Sequence, residues 1–434
     1  MTQESKSVWS WAMYDWANSA FATTVMAGFF PLFFKAYWAN PDLPTQSTFY
    51  LGMANSIASI IVAMLAPFLG AIADQGSAKK KFLFIFAFLG IVMTGGLWIV
   101  EQGYWQMAVF FYVLAALGFS GSNIFYDSLL PGVASEKKVD YVSSLGFAMG
   151  YFGGGILFLL NVVMYLKPDL FGIPDGATAI RLSFVTVAVW WAVFSIPVAI
   201  WVKEPEIHES VGIVSAVGLG WKQLTNTLKE IRHLKVVGMF LLAYWFYMDG
   251  VDTIVRMAVD YGVTLKFPDS ALITALLMVQ FISFPCALLF SLLAKKIGVK
   301  QSVLVGIIGY GIITFLAYFM REMWHLYTLA ALVGLFQGGI QALSRSLYTR
   351  IIPEEKAAEF FGFYNMLGKM AAVIGPAMMG TITLLTGNIR YGILSILALF
   401  ILGGFFLLKV TNTIWGYAAE QTITLLWKKS FFLP

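Results

Sequence analysis

The sequence has few of the residues that catalysis and crosslinking require. Its one cysteine, Cys286, lies inside an apolar run, which excludes a disulfide framework or a thiolate metal site within the chain. The three histidines lack metal-ligand spacing, and no serine-elbow, phosphate-loop or zinc-protease motif occurs. We therefore expect a protein that is not an enzyme and that needs neither a metal nor a cofactor.

Charged residues are also scarce. Only 12% of the 434 residues are charged, whereas 59% are hydrophobic, and the mean hydropathy is +0.78. A soluble protein of this size would not bury so much apolar side chain, so the composition predicts a multi-pass membrane protein in contact with the lipid bilayer. The net charge of +5 comes from short basic clusters between apolar runs, which argues against nucleic acid as a partner.

Twelve apolar runs are long enough to span about 30 Å of hydrocarbon at 1.5 Å per residue. A polar interval divides them six and six, which predicts an all-α integral membrane protein with two six-helix halves. The predicted units are an N-terminal half (1–202), a linker with an amphipathic helix (203–235), a C-terminal half (236–410) and a tail (411–434). The runs lie near residues 9–37, 48–73, 82–100, 104–130, 140–166, 178–202, 236–262, 269–294, 299–320, 324–349, 357–386 and 389–409.

The basic clusters predict the orientation in the membrane. Most lysines and arginines fall in alternate loops, for example at Lys79–Lys81, at Lys137 and Lys138, and in the linker. The positive-inside bias then places both termini and the linker in the cytosol. The N-terminus lacks the pattern of a cleavable signal peptide, so we expect the first helix to stay in the mature protein.

An internal repeat relates the two halves. Asp127-Ser128-Leu129 aligns with Arg345-Ser346-Leu347 at an offset of 218, at the same place in each half. The opening helices of the halves also align, so that Asp15 corresponds to Asp249. Parallel repeats of this kind place a binding site at mid-depth between the halves.

The seventh predicted helix carries four ionisable residues in one stripe. Asp249, Asp252, Arg256 and Asp260 are spaced three, four and four residues apart. Each would cost at least about 2.5 to 3.5 kcal/mol in the middle of a bilayer, so the stripe must face something polar. Either the stripe lines a hydrated transport pathway, or it forms a structural ladder of ion pairs with another helix.

The loop after the second helix resembles the signature loop of the major facilitator superfamily. Gly70 is followed by Asp74 and by the cluster Lys79–Lys81, and a decayed copy runs from Ser291 to Lys300. The resemblance implies the major facilitator fold, with Asp74 beside the start of helix eleven near Ala357. A carboxylate at a helix N-terminus is stabilised by the helix dipole, so this contact would favour a closed cytosolic side. Alternatively, Asp74 serves only as a charge that sets topology.

A narrower resemblance covers most of the chain. Tyr14–Ser19, Phe246–Gly250 and Ser344-Arg345-Ser346 are similar to segments of the fungal vacuolar amino-acid effluxers linked to autophagy and their bacterial relatives. The resemblance implies transport of neutral amino acids. The short loops resemble the bacterial branch, which implies a bacterial inner (plasma) membrane protein.

Candidate residues for the substrate or proton pathway are polar or charged side chains inside predicted spans. Lys369 and Asp249 lie at similar depth, so they can pair, either as a transport element that a proton or a substrate carboxylate opens or as a permanent buried bridge. An amide inside a span can instead hold two helices together. The pathway set is Asp15, Asn18, Asn123, Tyr126, Asp249, Asp252, Arg256, Gln337, Gln341, Asn365 and Lys369.

Asp127 and Arg345 are predicted to form an inner gate together with Asp74. They are equivalent residues of opposite charge, and in the superfamily fold their helices face each other across the central cavity. They would pair when the cytosolic side closes and separate when it opens. Alternatively, each serves its own half, Arg345 binding a helix-eleven carboxylate such as Glu359 and Asp127 capping near Lys137.

The predicted function is alternating-access transport of a small polar solute, coupled to protons through Asp15, Asp249 or Asp252. Two other functions stay open, a lipid flippase of the same fold and a membrane sensor that does not transport. A flippase needs an apolar groove open to the bilayer, whereas the charged stripe favours a hydrated cavity. A sensor needs a large soluble module, for which the linker and the tail are too short.

Overall fold

The computed structural model describes residues 3–39, 44–75, 78–204 and 235–410, which form an all-α bundle. Its long helices coincide with the twelve apolar runs. Short helical turns at Leu130–Val133, Pro168–Phe171 and Glu354–Lys356 lie between them. The long helices are α1 (Gln3–Trp38), α2 (Pro44–Gln75), α3 (Lys79–Ile99), α4 (Trp105–Ser128), α5 (Val139–Leu166), α6 (Gly176–Trp201), α7 (Lys235–Thr264), α8 (Asp269–Ile297), α9 (Val299–Ala317), α10 (Met323–Ile351), α11 (Ala357–Thr386) and α12 (Ile389–Lys409).

Within the described ranges, nine helices are long and apolar enough to cross a membrane. The other three long helices are α2, α7 and α11. These three helices contain Asp74, Asp249 and Lys369. The prediction of an all-α membrane protein is confirmed. The amphipathic helix predicted in the linker and the predicted tail lie outside the described residues, apart from positions 203, 204 and 235 of the linker.

Local sequence signals mark several helix ends. Asp175 caps α6 by accepting a hydrogen bond from the Thr178 backbone N–H at 2.7 Å, and this bond lowers the pKa of the Asp175 carboxyl. Gly387, with φ of +66°, ends α11 in the left-handed conformation, where glycine has no steric penalty. Gly298, with φ of +92°, separates α8 from α9. The chain can therefore reverse direction at the ends of these helices.

Each half packs around its own aromatic core. The core of the N-terminal half includes the fully buried Trp11, Trp38 and Trp191. The core of the C-terminal half includes the fully buried Tyr247 and Tyr310. Separate cores leave the contact between the halves free to be more polar than either interior.

The halves meet along two pairs of helices, α2 with α11 and α5 with α8, and α5 also packs on α10. The ends of these helices that adjoin the basic clusters at Lys79–Lys81, at Lys137 and Lys138, and at Arg350 are called the basic side below. Most of the polar contacts between the halves lie there.

Two glycines let α2 and α11 cross closely at the basic side. A Cβ atom on Gly70 would overlap the backbone oxygen of Ala358, and one on Gly362 would lie 2.6 Å from the Ala66 oxygen and 2.7 Å from the Pro67 Cα. Backbone atoms cannot rotate away as a side chain can, so any larger residue must push the two helices apart.

Gly70→Ala and Gly362→Ala are therefore expected to lower the free energy of unfolding by about 1 to 3 kcal/mol, the usual cost of overpacking. Gly380→Ala is the matched control, because Gly380 lies on α11 and a Cβ there would have no atom within 4 Å. Thermal unfolding of the purified protein followed by tryptophan fluorescence measures the effect. Melting of all three variants at one temperature would show that the crossing tolerates a methyl group.

Candidate functional site

Arg345 occupies the centre of the contact between the halves at the basic side. It lies on α10, and its side chain is 3% exposed. Its Nη1 atom is 2.9 Å from Asp127 Oδ1 on α4, and its nearest contact with Asp15 Oδ2 on α1 is 3.4 Å. One guanidinium of the C-terminal half thus faces two carboxylates of the N-terminal half.

The rest of the guanidinium is held by α5 and by aromatic rings. Arg345 Nε donates to Ser143 Oγ and Nη2 donates to the Ser143 carbonyl, both at 2.9 Å. The guanidinium carbon lies 4.2 Å from the centre of the Phe147 ring and 4.9 Å from that of Trp11, which are cation–π distances. Every contact described here joins α10 to the other half, so the side chain ties the halves together.

The two carboxylates are held in place by other residues. Tyr126 donates its hydroxyl to Asp15 Oδ2 at 2.8 Å, and the Tyr126 ring stacks on Trp11 at 4.4 Å. Asn365 on α11 donates to Asp127 Oδ2 at 3.4 Å and to the Phe361 carbonyl at 3.0 Å. Five helices therefore contribute to what we call the Arg345 network, formed by Asp15, Tyr126, Asp127, Ser143, Arg345 and Asn365.

Gly146 is required by the same packing, although no sequence pattern pointed to it. A Cβ atom there would lie 2.6 Å from Asp15 Oδ2 and 2.9 Å from Arg345 Nη2. A side chain at position 146 would therefore separate the guanidinium from the carboxylate. Glycines on α5 were visible in the sequence, but nothing in a single sequence shows what each one faces.

A second ion pair joins the halves nearer the surface, and it was not predicted. Arg350 Nη2 lies 2.8 Å from Asp140 Oδ2, and Asp140 also accepts the Ser346 hydroxyl. Arg350 is 4.0 Å from Glu136 as well. The only signal in the sequence was a basic residue, Arg350, at a helix end. Such a residue is equally typical of charges that set the membrane topology.

Asp74 lies at the N-terminus of α11, the position implied by the superfamily resemblance. Its two oxygens accept hydrogen bonds from the backbone N–H groups of Ala358 at 3.2 Å and Glu359 at 2.8 Å. Lys79 Nζ is 3.0 Å from Asp74 Oδ1. The carboxylate therefore binds N–H groups that α11 itself cannot pair, at the positive end of the helix dipole.

The amides predicted to line the pathway fall into separate groups. Asn18 donates to Asn123 at 2.5 Å, which joins α1 to α4 within the N-terminal half. Tyr151 on α5 donates to Gln341 on α10, so this bond crosses between the halves. Gln337 lies one turn before Gln341 on α10 and is buried. Only the second group, with Asn365, lies where the halves meet.

The residues of the charged stripe on α7 differ in their exposure and surroundings. Asp249 is 1% exposed and accepts a hydrogen bond from the Gly375 backbone N–H of α11 at 2.9 Å. Its second oxygen, Oδ2, has no hydrogen-bond partner among the described residues. Asp252 is half-buried and Arg256 is exposed. The side chain of Lys369, the predicted partner of Asp249, lies outside the described residues, as does the side chain of Asp260.

Comparison with known proteins agrees with this architecture. The family described as "Vacuole effluxer Atg22 like" matches residues 43–413. The chain is 39% identical over 412 residues to an uncharacterized MFS-type transporter, YxiO, of Bacillus subtilis, covering 93% of this chain and 94% of that protein. It is 24% identical to autophagy-related protein 22 of Yarrowia lipolytica, covering 85% of this chain and 78% of the fungal protein.

Solved structures show the same fold at low sequence identity. The human organic anion transporter MFSD10 is 12% identical, with a TM-score of 0.72, and the alignment covers 94% of this chain and all of that one. The proton:xylose symporter XylE is 14% identical, with a TM-score of 0.70, over 94% of this chain and 95% of its own. These relatives are transporters rather than enzymes. The chain therefore belongs to the Atg22-like vacuole effluxer family and is a multi-pass transporter of the major facilitator superfamily.

Proposed function

We propose that the protein moves a small polar solute, such as a neutral amino acid, by proton-coupled alternating access, and that the Arg345 network is its inner gate. The observation that carries this proposal is that a buried arginine of one half binds two buried carboxylates of the other half at one end of the bundle. In this proposal the basic side faces the cytosol, as the positive-inside bias predicts, and the structure represents the state closed on that side.

The energetics of such a network suit a gate. A buried ion pair contributes little net stability, because the cost of removing both charges from water offsets most of their attraction. The pair can therefore separate when water enters the gate, so that the open and closed states need differ by only a few kcal/mol. When a purely apolar contact of the same size separates, its surfaces gain no such stabilisation from water.

The charge count supports a proton as the coupling ion. Arg345 can neutralise one carboxylate, so Asp15 and Asp127 together leave one negative charge to be balanced in the closed state. Asp249 lies within the C-terminal half, and its Oδ2 atom lacks a described partner. A proton on Asp15 or Asp127, or on Asp249, would remove a negative charge that has no counter-charge in a buried site.

The substrate class rests on the family. Vacuole effluxers that resemble this chain imply neutral amino acids, whose ammonium and carboxylate groups need an anionic and a cationic partner. Asp15 and Asp249 are candidates for the first role and Lys369 for the second. The closed network at the basic side would then keep the bound zwitterion from reaching the cytosol.

Reconstituted protein tests the proposal. Proteoliposomes are loaded with a neutral amino acid such as leucine, and release is measured with and without a pH gradient. Thermal-shift assays with amino acids, sugars and lipids run in parallel, because a ligand at 100 times its Kd adds about 2.7 kcal/mol of stability. Stabilisation by lipids alone, with no pH-dependent flux of amino acids, would favour the flippase alternative.

Asp249→Asn is expected to fold normally and to lose the dependence of flux on the pH gradient, because an amide cannot exchange the proton. Glu101→Gln is the matched control, since Glu101 is exposed in the turn before α4. The measurement is the ratio of fluxes with and without the gradient. An undiminished ratio in Asp249→Asn would remove Asp249 from the coupling mechanism, whereas failure to insert would assign it a structural role.

A further inference from the structure

A cleft of about 400 Å³ opens on the basic side next to the Arg345 network. It lies between the start of α1, the start of α5 with the loop before it, and the end of α8. The first two elements belong to the N-terminal half and α8 belongs to the C-terminal half. The cleft therefore spans the junction of the halves.

The cleft is cationic. Three lysines line it, Lys137, Lys138 and Lys295, against one carboxylate, Glu4. Glu4 lies 2.7 Å from Lys138 Nζ, and both side chains are more than half exposed. Among the described residues, no carboxylate forms an ion pair with Lys137 or Lys295. Two positive charges, one from each half, are thus available to an anion.

Its remaining lining is suited to the membrane interface. Trp9 and Tyr141 line the cleft with 41% of each residue exposed, beside the buried Val142 and Leu145. Tryptophan and tyrosine are enriched where headgroups meet acyl chains, because each has an apolar ring and a polar atom. Free phosphate would gain nothing from these rings.

An apolar path leads from Lys295 along α8 towards the middle of the membrane. Leu292 and Leu289 lie three and six residues before Lys295, so all three residues fall near one face of the helix. Leu292 is 51% exposed and Leu289 is 56% exposed. An amphipathic ligand with an anionic head in the cleft would place its acyl chain along this face.

We infer that this cleft binds an anionic phospholipid, whose phosphate bridges Lys137 and Lys295. The volume fits a headgroup while the acyl chains stay in the bilayer. Separation of the halves at the basic side would move the two lysines apart, so the bound lipid would stabilise the closed state. The lipid site itself does not depend on the proposed transport function, whereas its effect on the gate does.

The test uses full-length protein purified with native lipid and analysed by native mass spectrometry. Phosphatidylglycerol is the anionic probe and phosphatidylcholine the zwitterionic one. Lys137→Gln with Lys295→Gln should reduce retention of phosphatidylglycerol by about tenfold, since both lysines are exposed and each exposed charge pair contributes only about a factor of three. Lys296→Gln is the matched control, because Lys296 is exposed beside Lys295 and does not line the cleft.

Three results would overturn the inference. An equal loss in Lys296→Gln would show nonspecific attraction between lysines and anionic lipid. Displacement of phosphatidylglycerol by millimolar inorganic phosphate would show a site for free anions. Unchanged retention in the double variant would place the lipid elsewhere. Because binding is measured without transport, these results are distinguishable from failure of the proposed function.

A conformational measurement completes the test. A cysteine placed at Gln341, in a Cys286→Ala background, reports whether the basic side is open. In sealed proteoliposomes with the basic side outward, phosphatidylglycerol should slow labelling by an impermeant maleimide relative to phosphatidylcholine, and the double lysine variant should abolish the difference. The same labelling rate in both lipids, with phosphatidylglycerol bound, would contradict the stabilising role.

Discussion

Replacing Arg345 with glutamine is expected to open the basic side of the bundle. The substitution leaves Asp15 and Asp127 buried without their counter-charge, and the loss of one partner of a buried ion pair costs about 3 to 5 kcal/mol. Since each 1.4 kcal/mol is a factor of ten, the ratio of open to closed states should rise at least about a hundredfold. Acidic pH should weaken the effect, because protonated carboxyl groups need no counter-charge.

A cysteine at position 341 measures this change in a Cys286→Ala background. Gln341 lies four residues before Arg345 on α10, about 6 Å further from the basic side. An impermeant maleimide added to inside-out vesicles should label it faster in Arg345→Gln than in the parent. Arg390→Gln is the matched control, because Arg390 donates to the Tyr318 carbonyl within the C-terminal half. Equal labelling of all three proteins would contradict the gate.

Exchange of the charges at positions 127 and 345 should restore the gate only in part. Asp127→Arg and Arg345→Asp should each favour the open state, because each places like charges together. The double exchange re-forms one pair, and two opposite charges 4 Å apart attract by about 4 kcal/mol at an effective dielectric near 20, before desolvation. A carboxylate at position 345 would however face Asp15, which lies 3.4 Å from the native guanidinium.

The triple variant that adds Asp15→Asn should therefore close better than the double exchange. The same cysteine at position 341 gives the labelling rates, and a double-mutant cycle isolates the coupling between positions 127 and 345. Asp15→Asn alone is the control for effects at position 15. If neither the double nor the triple variant closes better than the single variants, then Asp127 and Arg345 each act within their own half.

Most of the fold was predictable, because membrane helices are set by length and hydropathy. Each span satisfies its own backbone within a short stretch of chain, so the run that becomes α5 or α10 can be recognised locally. The offset of 218 between Asp127 and Arg345 also carried long-range information, since equivalent positions in a repeat have equal depth. Their contact followed from this symmetry together with their opposite charges.

The sequence by itself determined the helices, the two halves, the basic clusters and the depth of Asp127 and Arg345. Only the tertiary structure decided that Arg345 also binds Asp15, that Arg350 pairs with Asp140, and that Asp249 turns towards the Gly375 backbone. The physical reason is that a helix can rotate about its axis without changing its hydrophobic pattern. Which polar side chains meet is then set by packing against helices more than a hundred residues away in the chain.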